Sequence, residues 1–274
     1  MNTYMLSDSR TMLRRSLRRL RRYPSLTFFT AVIPVVVLLL FVYVLGGTLG
    51  AGLGMPGVPA GPDSASMGRE AYIAYIVPGI LLITAVGTGQ GTAITVAMDM
   101  TAGIIARFRT MAIARGAVLA GHVIGSVVQT ALATVIVVVV ALLVGFRPTT
   151  EPLAWLGAVG LLALTSFAVS WLSVALGMVT DSVETASNLP MILILLVFVS
   201  SAFVPTASLP EPLRWFAEHQ PFTPITETLR GLLFGTPIGD NGLVAVAWCV
   251  LISVAGYLWA RRLYERIPVR MAQV

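Results

Sequence analysis

The sequence predicts an all-α membrane protein with six transmembrane helices, and three observations carry that reading. Six long apolar stretches contain almost no ionisable residue. Of 274 residues, 57% are hydrophobic and only 11% are charged, with mean hydropathy +0.87; a soluble domain carries about 25% charged residues. All 18 basic residues are Arg, and they cluster: seven from Arg10 to Arg22, three from Arg107 to Arg115 and four from Arg261 to Arg270.

The elements follow in order. Residues 6–22 place Leu6, Leu13, Leu17 and Leu20, with Ser9 and Ser16, on one helical face, while Arg10, Arg14, Arg15, Arg18, Arg21 and Arg22 take the rest. That spacing predicts an amphipathic helix lying flat in the headgroup plane, in preference to a plain topogenic Arg cluster. Pro24 ends it before the first span. About 20 apolar residues cross a bilayer as a helix. The expected spans are Leu26–Leu45, Tyr72–Met98, Val118–Val144, Leu153–Val179, Val183–Val204 and Leu243–Ala260. The first is longer than the roughly 7–15 apolar residues of a signal peptide, so it is read as a retained span.

Orientation comes from the Arg residues. The N-terminus, the 99–117 segment and the C-terminus hold fourteen; the 46–71, 145–152 and 205–242 loops hold four, namely Arg69, Arg147, Arg214 and Arg230. The cytoplasmic side carries the excess, so both termini are expected there, in a bacterial inner membrane. The same border position assigns the high sequence pI to anionic headgroups rather than to nucleic acid. In 99–117, Ile104, Phe108 and Met111 repeat at helical spacing beside Arg107 and Arg109. Periodicity alone fits a short helix docked on another protein or one lying on lipid. Residues 46–70 are rich in Gly and Pro and read as irregular. The 205–242 segment has six Pro but two helix-like pieces, Leu213–His219 and Ile225–Phe234. Both are too short to span and are expected to re-enter the outer leaflet.

Several functions are disfavoured. An ion-coupled carrier or a channel usually places ionisable groups within its spans, and the span interiors here have none. Asp99 and Glu184 sit at span ends, and His122, near the start of the third span, reads as a helix-end residue bonded to a neighbour rather than a proton relay. A P-loop requires Lys, which this chain lacks. Two distant His and the single Cys249 make neither a usual zinc site nor an intrachain disulfide. The span serines Ser166, Ser170, Ser173, Ser200 and Ser201 have no His at a triad position and are expected to bond helical carbonyls or neighbouring helices. An intramembrane enzyme is therefore disfavoured too, and any energy source belongs to a partner. Gly46/Gly50, Gly87/Gly91 and Gly121/Gly125 are spaced for close helix contact.

The order of features resembles the permease subunit of type-2 ABC exporters, in particular the daunorubicin-resistance-like drug and lipid permeases. The likeness runs over nearly the whole chain, read as one transmembrane domain, 1–274. Arg22-Tyr23-Pro24 resembles the end of the family's interface helix, and Pro34 falls in the first span. Tyr75 to Ile80 resembles the entry to the second span, and Asp99 to Gly103 through Arg107-Phe108-Arg109 to Arg115 the cytoplasmic coupling helix. The most specific stretch is Asn188-x-Pro190, Ser200 to Pro205, Leu209-Pro210, and Pro221-x-x-Pro224-x-x-Glu227-x-x-Arg230-Gly231. The chain departs from the family's acidic-Gly-Thr coupling pattern, since Ile104-Ile105 follows Gly103.

The resemblance implies two permease copies, or this chain and a paralogue, joined to two P-loop ATPase subunits that bind ATP and Mg; no cofactor is expected in this chain. It implies ATPase contacts at Asp99, Arg107, Phe108 and Arg109, with Arg14 and Arg18 adjoining and Asp181 and Glu184 as a second contact. Glu227 and Arg230, one turn apart, form either a local ion pair or part of an outer gate. Phe28, Phe29, Tyr75, Phe198 and Phe203 are expected to line the path or to pack against lipid. An aromatic content of 8% favours hydrophobic drugs or lipids over polysaccharide or glycolipid export.

Overall fold

The computed structural model describes residues 24–45, 64–105, 115–149 and 151–266. The expected interface helix 6–22, most of the 46–71 loop and the centre of the 99–117 segment lie outside the described residues. Among those described there is helix and no strand. Helix α1 is Pro24–Leu40, continued by one π turn, Phe41–Leu45; α2 is Ser64–Thr101, α3 Arg115–Val144 and α4 Pro152–Val179. Two short helices follow, α5 at Val183–Asn188 and α6 at Met191–Phe198. Then come α7 at Glu211–His219, α8 at Phe222–Phe234 and α9 at Asn241–Arg266.

Among the described residues, four segments are long and apolar enough to cross a membrane: Glu70–Thr101, Val118–Val144, Pro152–Val179 and Asn241–Arg266. The other two expected spans appear as shorter apolar helical stretches, Thr30–Val44 and Val183–Phe198. The fifth is also not the continuous helix Val183–Val204 expected from hydropathy. Pro190 has no N–H to continue the ladder, and the chain breaks there between α5 and α6. Its far end stops early because Ser200 takes over the backbone's bonds: Ser200 Oγ donates to the Val197 carbonyl at 2.6 Å and accepts from the Ala202 N–H at 3.2 Å.

Helices α2, α4 and α9 run in one direction and α1 and α3 in the other, which defines two ends. The loop end holds the turn after α2, the α4–α5 turn and the close of α9. The cap end holds α7, α8 and the α3–α4 connection. Helices α2 and α4 run parallel as the inner posts, with 78% and 61% of their most apolar windows buried, against 22% for α3 and 28% for α9. Lipid tails provide no hydrophobic force between helices, so close approach and hydrogen bonds must hold the posts together. Two glycines show the approach. A Cβ on Gly177 of α4 would collide with the Ala93 carbonyl oxygen of α2. One on Gly256 of α9 would lie 2.7 Å from the Leu172 amide of α4. By contrast a Cβ added at Gly87 or Gly91, which are spaced for contact, would meet no atom within 4 Å.

Apolar packing divides between the ends. At the cap end Leu38, Ile76, Ile80, Val137, Phe146, Phe203, Ile225 and Leu229 form one core. At the loop end Val96, Ile105, Leu119, Val123, Trp171, Val174, Met178 and Tyr264 form another. Between them a hydroxyl seam joins α3 to the posts. Thr130 bonds Thr88 of α2 at 2.6 Å and accepts from Ser166 of α4 at 2.8 Å, and Ser170 donates to Ser126 at 2.8 Å.

Candidate functional site

At the cap end, α8 positions one guanidinium with many partners. Phe222, Ile225, Leu229 and Leu233 bury one side of α8, and Gly235, in the left-handed region at φ 69°, closes it. Arg230 is thereby aimed at the turn of α2 preceding Pro78, which the helix carries within its length. Its Nη1 donates to Glu227 Oε1 at 2.7 Å. Its Nη2 donates to the Ser201 carbonyl at 3.0 Å and the Tyr75 carbonyl at 3.2 Å. The guanidinium carbon lies 4.1 Å from the centroid of the Tyr75 ring, a cation–π contact. Tyr75 Oη donates to the same Ser201 carbonyl at 2.9 Å. This clasp ties α8, α2 and the turn after α6 together. Thr223 reinforces it, accepting from the Ser201 N–H at 3.3 Å and donating to the Ala217 carbonyl. Gln220 donates to the Leu196 carbonyl at 2.8 Å.

An aromatic group adjoins the clasp. Phe203 is buried, stacks on Phe198 at 4.8 Å and tilts against Phe41 at 5.3 Å. Of the residues expected along a path, Tyr75, Phe198 and Phe203 thus lie at the cap end, with Phe198 partly exposed. Phe28 stands near the opposite end of α1 and is 63% exposed. The Phe29 side chain lies outside the described residues.

At the loop end, Asp99 is buried and meets His122 of α3, Oδ2 to Nε2 at 3.3 Å. Asp181 and Glu184 are exposed on the α4–α5 turn, where Ser182 caps α5 by accepting from the Thr185 N–H at 3.1 Å. Arg14, Arg18, Arg107, Phe108 and Arg109 lie outside the described residues. The structure therefore separates Asp99, turned inward, from Asp181 and Glu184, turned outward. Among the described residues no group of three or more His, Cys, Asp or Glu gathers in a way that would hold a metal ion.

Residues 8–234 match the family model for the ABC-2 type transporter. The chain belongs to the ABC-2 type transporter membrane family. This ABC transporter permease is 29% identical over 262 residues to the daunorubicin resistance ABC transporter permease protein of Streptomyces coeruleorubidus, covering 95% of this chain and 87% of that one. It is 22% identical over 191 residues to a Mycobacterium tuberculosis protein named "Probable doxorubicin resistance ABC transporter permease protein", covering 68% of this chain and 69% of the other.

Sequence reasoning pairs Glu227 with Arg230 but misses the other partners of the permease's clasp. Tyr75 and Ser201 stand 155 and 29 residues from Arg230, and only the fold brings them in. The usable signals are Pro78 inside an apolar stretch and Arg230, one of two Arg in the Pro-rich segment. Of the span serines, Ser166, Ser170 and Ser200 bond as expected, Ser170 donating to the Ser166 carbonyl at 2.6 Å and reaching Ser126 on α3. The buried hydroxyls of Ser173 and Ser201, by contrast, have no hydrogen-bond partner among the described residues. His122 does bond a neighbour, and that neighbour is Asp99.

Proposed function

We propose that this permease is the membrane subunit of an ATP-driven exporter of hydrophobic drugs, antibiotics or lipids, moving them out of the cytoplasm or inner leaflet. A separate P-loop ATPase, binding ATP and Mg, supplies the energy, and a second permease copy or a paralogue completes the path. The chain crosses a bacterial inner membrane six times with both termini in the cytoplasm, as a single transmembrane domain over 1–274. The observation that carries the substrate class is the likeness to a daunorubicin resistance permease over 95% of the chain. Span interiors without charge support it, since they suit amphipathic cargo better than polyanions.

Orientation rests on the same asymmetry read in three dimensions. Arg115, Arg261, Arg262 and Arg266 gather at the loop end, whereas the cap end has Arg147, Arg214 and Arg230. The loop end is then cytoplasmic and presents the 99–117 coupling segment, with Asp181 and Glu184 beside it, to the ATPase. The flat 6–22 helix lies against the inner leaflet. At the cap end, α7 and α8 are the outer re-entrant helices. The Glu227–Arg230 pair is the fastening of the outer gate, and the Phe198–Phe203 group lines the exit.

The test is transport by proteoliposomes holding this chain and its ATPase. Daunorubicin, a fluorescent hydrophobic cation, is the first probe. ATP-dependent movement that stops with a hydrolysis-dead ATPase supports the reading; ATP-independent movement by the chain alone turns it toward a channel or carrier.

A further inference from the structure

The resemblance to type-2 ABC permeases implies that Asp99 touches the ATPase. Its surroundings point elsewhere. It is 4% exposed, and its Oδ2 lies 3.3 Å from His122 Nε2, a group that is itself 12% exposed at the side chain. Two residues after α2 ends, Gly103 takes a φ of 67°, a reversal that L side chains resist. That reversal returns the chain, so that Ile105, 1% exposed, enters the loop-end core with Leu119 and Val123 of α3 and Tyr264 of α9. The end of α2 and the residues just after it, up to 105, are therefore fixed at two points, one polar at Asp99 and one apolar at Ile105. Both anchor on the first turns of α3, the helix in which the 102–114 connection ends.

We infer that Asp99 is a positioning residue which, through His122, pins the base of the coupling segment to α3. This deepens the reading above and rests on it for its functional consequence. A push delivered to the segment reaches α3 as one body with the end of α2 because the polar pin and the Ile105 anchor prevent the base from shearing. Removing His122 takes one partner from a carboxylate held in a buried site, which is costly and would be expected to let the carboxylate swing outward. The base would then loosen without any change in the surface offered to the ATPase.

The first measurement does not depend on transport. Ile105→Cys is introduced into the permease–ATPase complex and labelled with a water-soluble maleimide; Cys249 is buried and provides the background. The cysteine at 105 is expected to label slowly, and at least tenfold faster when Asp99→Ala or His122→Ala is added. The double change should be no faster than either alone, and His122→Gln, which keeps a donor near the ε position, should restore slow labelling. Unchanged labelling in both single variants would overturn the inference.

The second measurement is transport per ATP hydrolysed, with co-purification of the ATPase scored in parallel. Either alanine change is expected to lower the ratio about tenfold with the ATPase still bound, and His122→Gln to recover most of it. Loss of the ATPase from Asp99→Ala but not from His122→Ala would make Asp99 a direct contact and sink the proposal. Ratios equal to that of the unaltered complex would also sink it, while that complex's own coupled transport would leave the exporter reading standing. If an alanine variant fails to fold, Asp99→Asn paired with His122→Phe, which keeps a ring but no donor, carries the same comparison.

Discussion

Replacing Arg230 by Ala would strip Tyr75 and Ser201 of a donor to their carbonyls and leave Glu227 unpaired. Breaking a buried pair costs about 3–5 kcal/mol. Glu227 keeps 34% of its side-chain surface open, so the lower end, about 3 kcal/mol, applies. Thermal unfolding in detergent should fall by roughly 6–12 °C. Arg230→Lys should recover less than half, because one ammonium cannot serve the fork to Glu227 and both carbonyls or lie flat on the Tyr75 ring. Full stability in Arg230→Ala would show that the clasp contributes nothing. Tyr75→Phe, which removes only the hydroxyl bond to Ser201, should cost about 1 kcal/mol. At this scale the sequence is half legible. Glu227 and Arg230 stand three apart on a helix, and that spacing alone implies contact. No local pattern announces that a carbonyl at 201 waits 29 residues away, since it is freed only by the turn that Ser200 imposes after α6.

The elements are more legible than their breaks. Spans two, three, four and six lie within a few residues of where hydropathy places them, except that α2 begins earlier, at Ser64, and α9 runs on to Arg266. Apolar length is a property of composition, so it survives any packing arrangement. The fifth is shorter than hydropathy implies, because hydropathy does not register the missing N–H of Pro190 or the side-chain competition at Ser200. Glycine spacing misleads for a related reason: Gly87 and Gly91 fit the pattern but face open space, whereas Gly177 and Gly256 meet backbone. Gly177→Ala should therefore push α4 from α2 and lower stability by about 1–3 kcal/mol, whereas Gly87→Ala should be neutral or slightly stabilising. The unfolding midpoints of the two variants check this, and equal midpoints would contradict the close approach. The seam between α3 and the posts gives a parallel expectation. Thr130→Val removes a hydroxyl that serves Thr88 and Ser166 together. It should cost about 1–2 kcal/mol, more than Thr95→Val, whose hydroxyl bonds only carbonyls of its own helix.

Over the whole molecule, the distribution of charge ties fold to function. Arg gathers at the ends of α3 and α9 that lie together at the loop end, and the long apolar sides of α3 and α9 are left bare. Bare apolar helices suit lipid and a second permease copy, and neither is encoded in a single chain's internal packing. That is why the membrane class is legible from composition while the partner surfaces are read only through resemblance. The central claim is that force enters at the loop end from an ATPase and that cargo leaves at the cap end. The most direct measurement is ATP-driven daunorubicin movement in proteoliposomes containing this chain and its ATPase, compared with the Arg107→Glu/Arg109→Glu variant. The account predicts transport by the unaltered pair and loss of both ATPase binding and transport in the variant. Transport that persists without ATP hydrolysis, or a variant that binds and transports as before, would contradict it.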